Sequence, residues 1–169
     1  MTWFLLICLI SCEHPSTTPV NDAPKMVDYI SLVDLDQEMS AIGYPPNQKL
    51  LNGSIAPFQT EFGTWQLSIQ HFKKQEILYL AINDYLWIDQ AKTSQETVFT
   101  LTQLATRNHA LLGGKLQLNP QNGAITISTE IPVGAGIEKI TFKNVIERLL
   151  KLAREEYPML KASLGVNRY

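Results

Sequence analysis

The chain has 169 residues, of which 45% are hydrophobic and 18% are charged, a balance typical of one globular domain with a core of its own. Fourteen Lys and Arg against sixteen Asp and Glu give a formal net charge of −2 at pH 7. Because the sequence has no basic stripe that could neutralise phosphates, its composition argues against a nucleic-acid partner.

The N-terminal stretch MTWFLLICLISCEHP is apolar over positions 3–10 and becomes polar after Cys12. A helix of this apolar length rises only about 12 Å, against a hydrocarbon core of about 30 Å, so the stretch is too short to span a bilayer. It is typical of the apolar region of a signal peptide. The four residues from Leu9 to Cys12, LISC, resemble the lipobox of bacterial lipoproteins, although the leading region carries no Lys or Arg.

This resemblance implies a signal peptide at 1–11 and a lipid on Cys12, which would become the first residue of the mature chain. Residues 13–25, EHPSTTPVNDAPK, hold three prolines and little apolar bulk, so residues 12–25 are predicted to form a disordered tether to a domain at 26–169. A multi-chain lipid would hold the protein at the bacterial cell envelope, with the domain outside the cytoplasmic membrane. The alternatives are an ordinary cleaved signal, or an apolar N-terminal strand or a disordered end with an incidental cysteine.

A first helix is predicted over residues 28–42. Its apolar positions recur at helical spacing: Leu32, Leu35, Met39 and Ile42. Gly43 ends this helix. Residues 44–62 contain Tyr44-Pro45-Pro46 and Asn52-Gly53, and they are predicted to form a loop of low regularity.

Two strands are predicted next, joined by a turn at Lys73-Lys74. In the first, TWQLSIQHF, the residues Trp65, Leu67 and Ile69 alternate with polar side chains, which indicates one buried face. The returning run over 76–88, EILYLAINDYLWI, is apolar on both faces. Such a strand is either covered on both sides or part of a contact surface.

A second helix is predicted from Ser94, which is a favourable N-cap residue. Its predicted buried stripe contains Val98, Leu101, Ala105 and Leu112. Asn108 falls on the same stripe, whereas His109 lies off it, and Gly113-Gly114 supplies the helix end. Asn108 is therefore predicted to be a structural polar residue that satisfies backbone groups where the helix meets the next strand.

The remaining elements are a hairpin and a third helix. KLQL and AITISTEI alternate around the turn NPQNG, with Ile125, Ile127 and Ile131 facing inward. Thr141 is predicted to cap the last helix, and Pro158 to end or kink it near Tyr157. The predicted order is α-β-β-α-β-β-α, an α+β fold in which helices pack against an antiparallel sheet.

The order and spacing of these elements resemble the YbjN family, which is similar in fold to the chaperones of type III secretion. The matching features are a helix ending in Asn108, Gly-Lys before Leu116 and Leu118, an Asn-Gly turn, a strand ending at Pro132, and a last helix closing on Tyr157-Pro158. The resemblance implies a non-catalytic domain that binds a peptide or partner protein, often as a homodimer, and that uses no cofactor.

Catalytic interpretations of ATRNHALLGGKLQLNPQNG, residues 105–123, meet chemical objections. The domain has no cysteine, and its two histidines, His71 and His109, lack the spacing of metal ligands. Gly113-Gly114-Lys115 lacks the order of a phosphate-binding loop and opens a strand. No catalytic or metal-binding residue is therefore predicted.

The two-faced strand marks the candidate partner surface. Its residues and nearby aromatics are Trp65, Leu78, Tyr79, Tyr85 and Trp87. The alternative is that these side chains are core, or are covered by residues 44–62. The predicted function is an envelope-anchored lipoprotein that binds a protein or peptide client, and the competing hypotheses are a structural envelope subunit and an enzyme of unrecognised type.

Overall fold

The computed structural model describes residues 29–30, 32, 34–88, 94–119, 121–134 and 136–164. Cys12, the predicted signal segment and the predicted tether lie outside the described residues. In chain order the elements are β1 Tyr29–Ile30, α1 Leu35–Ala41, β2 Gln48–Leu50, β3 Gly53–Thr60, β4 Gly63–Phe72, β5 Ile77–Trp87, α2 Ser94–Ala110, β6 Lys115–Leu118, β7 Ala124–Pro132, β8 Ile137–Glu138 and α3 Lys139–Leu164. Within the described part of the chain, no helix is long and apolar enough to cross a membrane.

The sheet has six antiparallel strands in the order β2-β3-β4-β5-β7-β6, and β1 pairs with β8 in a separate two-stranded ribbon. α1 packs on β3, α3 on β5 and β7, and α2 on β6 and α3. The three helices lie on the same side of the sheet, which we call the inner face, and the opposite side is the outer face. This arrangement confirms the predicted α+β class, a sheet packed with helices.

The core lies between the inner face and α3. Trp65, Leu67 and Ile69 of β4 are fully buried, as the alternation in the sequence predicts. They pack with apolar side chains of β5 and with the buried side of α3, which includes Phe142, Ile146, Leu149, Ala153 and Tyr157. An aromatic cluster joins the two layers, with ring centroids 5.4 Å apart for Trp65 and Tyr157 and 4.5 Å for Phe62 and Tyr157.

The predicted loop at 44–62 is wrong, because this segment contains two strands, β2 at Gln48–Leu50 and β3 at Gly53–Thr60. The alternation in β3 was hidden by small residues, since its inward positions are Ser54, Ala56 and Phe58. β3 also contains Pro57, which lacks the N–H that strand pairing uses. The Ile55 carbonyl accepts a hydrogen bond from the Asn47 N–H, so it faces β2. The backbone groups of Pro57, two residues later in β3, point to the same side. There they lie beyond the end of β2, so the N–H that proline lacks would have no strand partner.

The first and third helices differ in length from their predicted bounds. α1 begins only at Leu35, and the chain before it forms β1 instead. α3 continues through Pro158 to Leu164, so the predicted end near Tyr157 is wrong. Pro158 lies on the exposed side of the helix, while Leu160 and Leu164 are buried and anchor the final turns in the core.

The bounds of α2 agree with its predicted start at Ser94, but the predicted buried stripe is wrong. Thr100 and Leu104 are the residues that face the core. Val98 is 63% exposed and Leu101 is 46% exposed, and Ala105 and Leu112 are exposed as well. The stripe has helical spacing, but α2 lies at the β6 edge of the sheet, where the helix turns that stripe to solvent.

Candidate partner-binding site

The strand predicted as a partner surface is central in the sheet, between β4 and β7. Leu78, Leu80 and Ile82 point to the inner face and are fully buried. The register with β7 shifts between Ile82 and Leu86, and Asp84 within this bulge has a φ of 49°. The bulge brings Tyr85 to the core, where its ring centroid lies 5.2 Å from that of Trp65.

Three residues of the predicted surface are therefore core residues. Trp65, Leu78 and Tyr85 have no exposed area, because α3 covers the inner face at these positions. The Tyr85 hydroxyl donates a hydrogen bond to the Ala153 carbonyl of α3. Burial, helped by the nearby Glu156 carboxylate, raises the pKa of Tyr85 well above its usual value, so this hydroxyl stays protonated and holds the sheet to the helix.

The outward side chains of β5 form a smaller surface than the sequence suggested. Ile77 and Tyr79 are partly buried, and Ala81, next along the strand, is fully buried and small. Phe72 of β4 pairs directly with Ile77 and is 38% exposed. We call Phe72, Ile77 and Tyr79 the outer-face patch.

Polar contacts hold the outer-face patch in place. The rings of Phe72 and Tyr79 meet edge to face with centroids 6.3 Å apart. The Tyr79 hydroxyl is 2.8 Å from Gln117 Oε1 on β6, to which it donates. Because β7 separates these two strands, this hydrogen bond crosses over β7, and the ring of Tyr79 is fixed across the sheet.

A shallow cavity of about 190 Å³ opens at the outer-face patch, lined by its three residues together with Gln75 and Glu130. Glu130 is 2.8 Å from Lys115 Nζ, so its charge is balanced. An apolar floor with paired polar groups at its rim suits a side chain of another polypeptide. Trp87, the fifth predicted residue, is partly buried at the far end of β5, opposite Ala124.

Sequence reasoning missed Phe72, although its position could have been found. In an antiparallel hairpin, residues directly opposite each other share a face. With the turn placed at Lys73-Lys74, Phe72 falls near Ile77, and Ile77 shares a face with Tyr79. The signal was lost because the preceding run, QH, is polar and gave Phe72 no apolar neighbours in sequence.

Asn108 joins α2 to the hairpin. Its Nδ2 donates to the Leu116 carbonyl at 2.8 Å, and its Oδ1 accepts from the Leu116 N–H at 2.6 Å. The amide nitrogen and the amide oxygen of Asn108 therefore both bond to the backbone of Leu116 on the edge strand β6. His109 is exposed in the last turn of α2, so the structure does not bring the Asn108-His109 pair together as a reactive site.

The described residues show no grouping suited to metal chemistry, since no three His, Cys, Asp or Glu side chains among them cluster. Glu156 is buried on α3 but is fully occupied by Arg107 of α2, whose Nε and Nη2 donate to it at 2.9 and 3.0 Å. This bidentate pair ties the two helices together.

The stripe of α2 that was predicted to be buried is exposed, as is the neighbouring Phe99. We define the α2 stripe as Val98, Leu101 and Ala105, which lie within about 60° of one another at roughly 100° per residue. Leu104 and Thr100 turn to the core on the other side of the helix. The stripe is thus an exposed apolar face of α2, and no described element covers it.

The comparisons with known proteins identify the fold. No protein-family model matches the chain, and no curated protein matches it. Among solved structures, the chain is similar to YbjN from E. coli, a candidate transcription regulator, with a TM-score of 0.55 and 12% identity over 82% of this chain and 98% of that one. It is also similar to the ExsC-ExsE complex, with a TM-score of 0.53 and 16% identity over 75% of this chain and 90% of that one.

A third similar structure is the HopA1-SchA chaperone-effector complex, with a TM-score of 0.46 and 18% identity over 72% of this chain and 88% of that one. At these identities the likeness concerns the fold and leaves individual residues unmatched. The chain has the fold shared by YbjN and the type III secretion chaperones.

Proposed function

We propose that this protein is a non-catalytic, chaperone-like binding module that captures a segment of a partner protein at the bacterial envelope. The observation that carries the proposal is the outer-face patch, in which Phe72, Ile77 and Tyr79 line a shallow cavity on the side of the sheet opposite the fully buried Leu78 and Leu80. The likeness to the ExsC-ExsE complex supports a protein partner for this fold.

Co-purification with a matched pair of variants tests this proposal. Tyr79→Glu places a charge in the outer-face patch, whereas Gln66→Glu makes a similar change at an exposed position of the same face, opposite Asn83 and away from the patch. We expect the wild type and Gln66→Glu to retain the same polypeptides from envelope extracts, and Tyr79→Glu to lose them. Equal retention by all three proteins would contradict the proposal.

The pattern of captured proteins separates the competing functions. A client-binding module retains several polypeptides, a structural envelope subunit retains one partner at fixed stoichiometry, and an enzyme of unrecognised type retains none. A single stoichiometric band that persists in Tyr79→Glu would favour the structural subunit.

Anchoring through Cys12 is the second part of the proposal, and it is supported by the lipobox-like run from Leu9 to Cys12. A multi-chain lipid there would fix the protein to a membrane almost permanently. Cys12→Ser should move the protein from the membrane pellet to the soluble fraction, with Cys8→Ser as the control. If Cys12→Ser stays in the pellet as tightly as the wild type, the lipid anchor is wrong.

A homodimer is a further candidate, and the α2 stripe favours it. A two-fold dimer brings the same patch of both subunits together, and an apolar helical stripe can pack against its own copy. Leu101→Glu should convert a dimer to a monomer in light scattering. Thr106→Glu, an exposed position about 140° from Leu101 at roughly 100° per residue, is the control.

A further inference from the structure

A second and larger cavity lies at the end of the sheet, between α1 and the turns of the β2–β3 and β4–β5 hairpins. Its volume is about 590 Å³, within the range of about 300 to 1,000 Å³ that is usual for ligand pockets. We call it the basic cavity. Its apolar lining is mainly aliphatic and contains Leu32, Leu35, Leu50 and Leu51, together with Phe72.

The charges of the basic cavity do not balance. Asp36 is its only acidic lining residue, and this carboxylate is bound by the Lys49 ammonium and the Ser54 hydroxyl. These two hydrogen bonds hold the pKa of Asp36 below its usual value. Lys73 and Lys74 also line the cavity, and neither forms an ion pair with any residue in the described part of the chain.

His71 is another residue that lines the basic cavity. It lies on β4 opposite Leu78, and its Nδ1 is buried with no hydrogen-bond partner among the described residues. Burial, together with the nearby Lys73, lowers the pKa of His71, so its ring is neutral near pH 7 and has one N–H to donate.

The basic cavity is continuous with the outer-face patch. Phe72 and Gln75 line both this cavity and the smaller one on the outer face. The two cavities are therefore neighbours on either side of the β4–β5 turn. A single extended segment can therefore contact Ile77 and Tyr79 and reach Lys73 and Lys74 around the turn.

We propose that the basic cavity receives an acidic, leucine-rich stretch of the partner segment, with a carboxylate near Lys73, Lys74 and His71 and an aliphatic side chain on the leucine wall. This inference rests on the proposed function and specifies the chemistry of the client. The charge complementarity and the aliphatic wall together select for such a stretch over a basic or purely polar one.

Titration calorimetry of the full chain carrying Cys12→Ser tests the proposal with a capped peptide of alternating leucine and glutamate. The same peptide with glutamine in place of glutamate, and inorganic phosphate alone, are the ligand controls. We expect the acidic peptide to bind about tenfold more tightly than the glutamine peptide, because two unpaired ammonium groups favour it. Phosphate should show no binding, since it has no apolar part.

Lys73→Gln combined with Lys74→Gln should weaken binding of the acidic peptide about tenfold and leave the glutamine peptide unchanged. Lys143→Gln combined with Lys151→Gln removes the same charge from exposed positions on α3 and should change neither. Both double variants alter exposed side chains, and thermal melting checks that they are folded.

Several outcomes would overturn the inference. These are equal affinity for the two peptides, no binding of either, an acidic peptide that binds the Lys73/Lys74 variant as it binds the wild type, and a phosphate affinity that matches the acidic peptide. If Tyr79→Glu abolishes partner capture while the Lys73/Lys74 variant keeps it, the proposed function stands and only the acidic client is wrong. If Tyr79→Glu and the Lys73/Lys74 variant both still capture the partner proteins, the proposed function itself is wrong.

Discussion

β5 and α2 differ in their surroundings. β5 lies between two strands and beneath α3, while α2 packs at the sheet edge against β6 and α3. As a result six of the eleven residues of β5, whose sequence is apolar on both faces, are buried, and Ile77 and Tyr79 are its residues in the outer-face patch. α2 instead exposes the stripe that looked like its core face. Position in the fold thus matters more for burial than local apolar pattern.

Charge substitution on β5 should give the largest effect and test which face is buried. Leu78→Glu puts a carboxylate into the core, which costs about 3 to 5 kcal/mol when no partner is present, a large share of the roughly 5 to 15 kcal/mol of a typical domain. Tyr79→Glu points outward and should stay folded. Thermal melting by circular dichroism decides: if both unfold, β5 is buried on both faces and the outer-face patch is not a surface.

A matched pair on α2 tests the other side of the comparison. Leu104 is 4% exposed and Leu101 is 46% exposed. Leu104→Ala should therefore lower stability by about 2 to 5 kcal/mol, and Leu101→Ala by no more than about 0.5 kcal/mol in the monomer. Urea unfolding of each variant measures the difference. A larger loss for Leu101→Ala would mean that the predicted stripe is the core face after all.

Asn108 links α2 to the sheet, and its removal should have an intermediate effect. Asn108→Ala leaves the Leu116 N–H and carbonyl without their side-chain partners, so the free energy of unfolding should fall by about 1 to 3 kcal/mol. His109→Ala, at the exposed neighbouring position, is the control and should change it by less than about 0.5 kcal/mol. An unchanged melting temperature for Asn108→Ala would show that Asn108 does not stabilise the fold.

The smallest expected effect is a pH dependence at the α1 end of the sheet. Lys49 first, and then Ser54, lower the pKa of Asp36 in the folded state. The unfolded value is near 3.9, so the stabilisation is complete above that pH and is lost as pH falls through the lower folded pKa. Asp36→Asn should flatten the loss of stability as the pH falls below about 4. Identical pH profiles for the two proteins would show that these contacts contribute nothing.

Part of the candidate site could be read from the sequence. The alternation around Trp65 gave β4 its buried face, and the double-sided run at 76–88 pointed to the strand that supplies Tyr79. The sequence could not say which of Leu78 and Tyr79 faces out, since a strand that is apolar on both faces has no polar side to orient it. The basic cavity could not be predicted from the sequence, because Asp36 of α1, Lys49 of β2 and the stretch His71–Lys74 are far apart in the chain and meet only in the fold.

The sequence by itself determined the α+β class, the β4–β5 and β6–β7 hairpins and the polar role of Asn108, because these depend on local periodicity, turn residues and hydrogen-bonding groups. Only the tertiary structure decided the strands within 44–62, the passage of α3 through Pro158 and the outward stripe of α2. Each of these depends on which neighbours are present: β4 to pair with β3, a core to hold Leu160 and Leu164, and no layer over Val98 and Leu101.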